Sequence, residues 1–140
     1  MYYLDTSFVV SAFCIEARTE QVRKWIQDTP VEDVFISSWV ETEFSSAISF
    51  KIRTKQIQLE ERAIILTNWR LFVAESAAIV AVETKDFDTA ALYAANHHLA
   101  LRASDALHLA VAQNTGCTLV TLDKRMAAAA LELGVPVAAI

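Results

Sequence analysis

The chain holds only two cysteines, two glycines and two prolines in 140 residues. Cys14 and Cys117 lie in unrelated segments, with no CxxC and no Cys/His ligand spacing. That excludes a disulfide framework and a structural zinc site, and predicts two free thiols in a reducing compartment. So little glycine disfavours an all-β fold, which needs many tight turns. So little of both glycine and proline excludes flexible linkers and collagen-like repeats. Long apolar runs are also missing. AAIVAV (Ala77 to Val82) is too short to span a membrane, and the C-terminal AAAALELGVPVAAI is broken by Glu132, Gly134 and Pro136. The opening MYYLDTSFVV has no basic region and is interrupted by Asp5, so it does not read as a secretory signal. Positive charge is scarce: the net charge is -5, which excludes a broad basic face for holding nucleic acid. What remains is 54% hydrophobic and 21% charged residues. The expectation is one soluble, cytoplasmic domain over residues 1–140, with enough surface to bury for a core of its own.

Short apolar runs alternate with helical periods. Tyr2–Leu4, Val34–Ser37, Ala78–Val82 and Cys117–Thr121 read as strands, and VPVAAI at the end reads as a fifth, edge strand because of Pro136. Helices are expected from Phe8, from Thr19 to Asp28, from Ser38 through WVETEFSSAISFKIR, from about Leu59 to Phe72, and from Phe87 to His98. Two more follow Ser104, closing at Gly116, and Asp123, closing at Gly134. This order predicts an α/β protein: a three-layer α/β/α sandwich around a small, mostly parallel sheet.

The acids fall at telling places. Asp5 ends the first strand, Asp123 stands just beyond the fourth, Asp105 opens a helix, and Glu43 lies early in the helix after the second strand. Open parallel sheets bind ligands outside the carboxyl ends of their strands, so all four can reach one edge. An Asp in such a place is often a helix cap. Here Thr6, Ser7 and Ser104 offer capping oxygens of their own, which leaves Asp5 and Asp105 open to other work. Converging carboxylates repel one another, and a divalent cation with a preference for oxygen relieves that conflict. Acidic ligands without cysteine or histidine suit metal-dependent phosphodiester hydrolysis.

Four segments, YYLDTSFVVSAF, SSWVETEFSSAI, RASDALHLAVA and TLVTLDKRM, together resemble the PIN-domain nucleases, and specifically the VapC-type ribonuclease toxins of prokaryotic toxin–antitoxin pairs. The resemblance covers almost the whole chain. It implies an acidic quartet of Asp5, Glu43, Asp105 and Asp123 around Mg²⁺ or Mn²⁺, with Asp5 and Asp105 as principal ligands. Glu43 matches the family's acid-then-apolar helix pattern better than Glu41. Thr6 and Thr121 become polar neighbours that orient carboxylates or water. The resemblance also implies an RNA substrate, a homodimer and a cognate antitoxin.

Other residues read less sharply. His97 and His98, as neighbours on a helix, point to different faces. His108, three residues after Asp105, reads first as a structural histidine. Lys124, Arg125 and Arg102 are candidate phosphate contacts, Lys124 and Arg125 at the mouth of the site, whereas KIRTK (Lys51 to Lys55) reads as a solvated face. Trp25, Trp39 and Trp69 read as core or interface rather than base-stacking residues. No nucleophile elbow and no GxxxxGK[ST] occurs. A haloacid-dehalogenase-like phosphatase would carry Asp two residues after Asp5, where Ser7 stands.

Overall fold

A computed structural model describes all residues, Met1–Ile140. Four short strands, β1 (Tyr2–Leu4), β2 (Val34–Ser37), β3 (Ala78–Val80) and β4 (Thr118–Val120), form one sheet in the order β3-β2-β1-β4. Every pairing is parallel. Seven helices connect and cover it: α1 (Thr6–Phe13), α2 (Thr19–Asp28), α3 (Ser38–Arg53), α4 (Glu61–Ser76), α5 (Thr84–Ala95), α6 (Ala103–Thr115) and α7 (Lys124–Glu132). The sheet grows outward from β1 through β2 to β3, and β4 then returns to the other side of β1. The reversal between β1 and β4 is a topological switch point, where side chains beyond the strand ends have room to converge.

The two inner strands are apolar on both faces: Tyr3, Leu4, Val34 and Ile36 are all buried, as parallel packing under two helical layers demands. α6 is the most buried helix, with Ala106 through Ala112 all inside. Its alanines let it lie close to the sheet. Trp69 of α4 stacks on Phe44 of α3 at 4.6 Å and meets Phe13 edge-on, while Trp25 packs edge-on to Tyr2 and Phe8. These two tryptophans are core residues. Both cysteines are buried and free.

The structure differs from the periodicity in several places, beginning with α1, which starts at Thr6, and β3, which stops at Val80. The fifth strand reduces to a single bridge between Leu119 and Val137. α4 begins and ends later than Leu59 to Phe72, at Glu61 and Ser76, and Val73 extends its apolar face against the core. α5 starts at Thr84, where Glu83 and Asp86 cap its first turn, and leaves Phe87 exposed. It stops at Ala95, so His97 and His98 sit in a separate single turn with their rings 4.0 Å apart rather than on opposite helix faces.

Candidate active site

Asp5, Glu43, Asp105 and Asp123 all line one open cleft of about 490 Å³, together with Thr6, Ser7 and His108. The topology explains the convergence. Asp5 follows central β1, and Asp123 follows its neighbour β4. α6 leads into β4, so its N-terminus, with Asp105, starts at the same edge. α3 leaves β2 at that edge and carries Glu43 one turn and a half along. Glu41 does not line the cleft.

Asp5 is the most enclosed of the four, at 1% exposure. One oxygen accepts from the Phe8 amide at 2.9 Å, the other from the Thr121 hydroxyl at 2.7 Å, and the Ser7 hydroxyl donates to both. Asp5 is thus itself the N-cap of α1. The expectation that Thr6 and Ser7 would relieve it of capping is overturned, because Asp5 alone precedes the helix in extended backbone, the geometry a cap requires. Asp123 likewise caps α7, accepting from the Arg125 and Met126 amides. Asp105 accepts from the Arg102 amide at 3.2 Å, while Ser104 lies inside α6 and does not cap it. Capping and cleft lining coexist: Asp105 Oδ1 and Asp123 Oδ2 accept no hydrogen bond from the chain.

Burial pushes the Asp5 carboxyl above the usual range, against the lowering pull of the His108 charge and of the Phe8, Thr121 and Ser7 hydrogen bonds. Glu43 moves the other way. Burial would raise it, but hydrogen bonds from His108, Thr6 and Ser104, with the His108 charge, hold it below the usual range. The His108 contact is the residue that sequence reasoning undervalued. Its ring is 2% exposed, and its Nε2 donates to Glu43 Oε2 at 2.6 Å. Thr6 donates to the same oxygen at 2.6 Å. On the other side of the ring, Nδ1 lies 3.0 Å from the Tyr3 hydroxyl, which lies 2.8 Å from the Ser37 hydroxyl, so a hydrogen-bonded chain runs from Glu43 through His108 and Tyr3 to Ser37. Ser37 precedes α3 without capping it, since its hydroxyl is engaged in this chain. The three-residue spacing from Asp105 to His108 was the signal available in the sequence.

The cations that line the cleft are not the ones the sequence singled out. Lys124 and Arg125 follow Asp123 on α7, but neither they nor Arg102 line the cleft; Lys124 borders a smaller depression with Arg18 and Ile140. The cap turn at Asp123 directs its carboxylate inward and sends the next two side chains to solvent. Lys51 and Arg53 line the cleft instead, from the far end of α3, beside Phe50 and Gln56.

No three His, Cys, Asp or Glu side chains are gathered tightly enough to hold an ion by themselves. The donors are nonetheless hard oxygens in an open, polar cleft, two of them with a free carboxylate oxygen. They fit a Mg²⁺- or Mn²⁺-like ion that keeps several waters and shares its shell with substrate phosphate. They do not fit a soft metal that would need sulfur or several imidazoles.

Comparison with known proteins agrees with this architecture. A family model described as "PIN domain" matches residues 2–132. Among solved structures, the chain is similar to the VapC20 toxin of Mycobacterium tuberculosis, which cleaves the sarcin-ricin loop: 17% identity, 92% of this chain and 95% of that one, TM-score 0.73. It is similar to FitAcB of Neisseria gonorrhoeae at 20% identity over 98% of this chain and 96% of that chain, with a TM-score of 0.71. A structure of FitAB bound to an IR36 DNA fragment gives 20% identity, coverage of 99% and 94%, and a TM-score of 0.74. No curated protein matches the chain by sequence.

Proposed function

The chain belongs to the PIN-domain family, and from that premise we propose that it is a Mg²⁺- or Mn²⁺-dependent endoribonuclease, the toxin of a VapBC-type toxin–antitoxin pair. The observation that carries the reading is the meeting of Asp5, Glu43, Asp105 and Asp123 in one cleft from four separate elements. These four would hold the cation, which supplies neutralising charge for a phosphodiester and a more acidic water.

The chain's own groups prepare the site. Thr121, Ser7 and the Phe8 amide hold the Asp5 carboxyl in place and oppose the upward pull of its burial. His108 and Thr6 fix the Glu43 carboxylate by two short bonds to one oxygen. The cap bonds of Asp105 and Asp123 aim their remaining oxygens into the cleft. In-line attack of water on phosphorus, with departure of the 3′ oxygen, leaves a 5′-phosphate and a 3′-hydroxyl. A cognate antitoxin and a homodimer belong to the same reading; the likeness to the VapC20 toxin and to FitAB supports the antitoxin. So does a prokaryotic cytoplasm. No helix of the chain is long and apolar enough to cross a membrane.

The test is cleavage of structured RNA by purified protein with Mg²⁺, with EDTA, and by Asp5→Asn. Cleavage with Mg²⁺ alone is the expected result. Equal activity in all three removes the catalytic assignment. Metal and RNA binding without any cleavage indicates a non-catalytic module of the same fold.

A further inference from the structure

We propose that the C-terminal half of α3 is a binding subsite for single-stranded RNA, in which Phe50 stacks on a base flanking the cut and Arg53 holds the adjoining phosphate. The proposal rests on the ribonuclease reading above and assigns a part of the cleft outside the acidic quartet.

One stripe of α3 faces the cleft: Glu43, Ser46, Ala47, Phe50 and Arg53. The spacings of three and four residues are those of a single helix face. The stripe starts with an acid at the quartet and ends with a cation about 15 Å along the helix axis. Phe50 lies between them and is 52% exposed. It is not a stray core residue. Phe44, on the same helix, stacks on Trp69 inside the protein, and six residues turn Phe50 to a different side, against open cleft. Ser46 and Ala47 beside it are small, so the ring face is not screened by neighbours on its own helix.

Two cations border the ring, and they are not equivalent. Lys51 is committed: its ammonium pairs with Glu16 at 2.6 Å, donates to Gln56 at 3.1 Å, and its side chain is 15% exposed. It gives the wall a fixed positive charge. Arg53 is exposed and makes no ion pair, so its five donors are available to a phosphate. The opposite wall carries Asp5, Asp105 and Asp123. A polyanion entering this cleft meets its cations only along α3. An exposed aromatic face next to a free arginine is the pairing that single-stranded nucleic acid uses, because every base has a face to stack. A duplex cannot present an unstacked base there.

The experiment measures binding of a fluorescent single-stranded RNA hexamer, with Mg²⁺ present, to the full chain carrying Asp105→Asn so that RNA persists. Asp123→Asn serves as the background if the first variant does not fold. Adding Phe50→Ala should weaken binding about tenfold, within the range for loss of one base–aromatic stack. Phe50→Trp should restore it, and Phe50→Leu, apolar but without a ring, should not. Adding Arg53→Ala should lower the slope of log affinity against log salt by about 0.7, the value for one phosphate contact on a single strand. A duplex of the same sequence should be insensitive to Phe50. Equal affinities for Phe50→Leu and Phe50→Trp, or an unchanged salt slope for Arg53→Ala, overturn the subsite. In the otherwise wild-type chain the same substitutions should raise KM and leave kcat within about twofold, as expected for binding lost equally in ground and transition states. Wild-type protein that cuts no RNA with Mg²⁺ refutes the ribonuclease reading instead. Cleavage with unaltered KM in the Phe50 and Arg53 variants refutes only the subsite.

Discussion

Asp5 places a carboxyl where the fold allows it almost no water. Its pKa stands above the unfolded value, chiefly through burial. Its contribution to stability is therefore complete below the unfolded carboxyl range, near about 4, and is lost as pH rises through the folded value. Without metal, a pH above that folded value forces a charge onto the buried Asp5 carboxyl and weakens the fold. Asp5→Asn should accordingly abolish cleavage and yet raise the melting temperature in EDTA by about 2–4 °C, the shift that roughly 1 kcal/mol gives a domain of this size. The gain should widen between pH 4 and pH 8, and melting curves across that range check it. Mg²⁺ should stabilise wild type in proportion to its concentration above Kd, and stabilise Asp5→Asn far less. Glu43 has the opposite sign: its lowered pKa gives stability above the unfolded value, lost as pH falls through the folded one. His108 sets much of that lowering. His108→Leu should weaken Mn²⁺ binding about 10–100-fold, as loss of a partner behind a ligand does elsewhere. His108→Gln, which keeps a donor near the Nε2 position, should recover part of it in calorimetry.

Among the elements, α6 is the one the site depends on most, and α5 packs along it. Asp86 joins them. It is 3% exposed, caps its own helix by accepting from the Glu83 amide at 2.8 Å, and accepts from the Asn114 amide group of α6 at 2.7 Å. It lies outside the cleft, so it separates stability from chemistry. Asp86→Ala should cost about 2 kcal/mol, from a lost cap and an unsatisfied neighbour together. Urea unfolding measures the cost, and activity per folded molecule should stay unchanged. At the far end of α6, Gly116 turns the chain with φ 69°. No atom lies within 4 Å of a Cβ there, so Gly116→Ala should cost about 1 kcal/mol of backbone strain without a clash.

For the molecule as a whole, the charge of -5 conceals an uneven distribution. Four acids gather at one sheet edge, and the cations of that cleft stand on one helix. Substrate binding should show a shallow salt dependence, with few phosphate contacts in its slope. The double variant Lys124→Ala/Arg125→Ala should cleave RNA within about twofold of wild type across salt concentrations, because neither residue lines the cleft and exposed charges are screened over about 10 Å. A larger loss would place the RNA path over α7 rather than along α3.

The sequence by itself determined the alternation of strands and helices, and with it a parallel sheet whose strand ends share an edge. Period and capping residues are local, and Thr19–Asp28, Val34–Ser37 and the turn at Gly116 came out as their spacing predicts. The quartet was legible too, because strand-then-acid is a local pattern and topology does the rest. What tertiary structure alone decided is how each acid is held. How Glu43 is fixed, how far His108 reaches and which distant hydroxyl holds Asp5 depend on contacts across 37 to 116 positions. Lys124 adjoins Asp123 in sequence but does not line the cleft with it, whereas Lys51 and Arg53 reach that cleft from another element. Helix direction and rotation set that outcome, and packing against the sheet sets both.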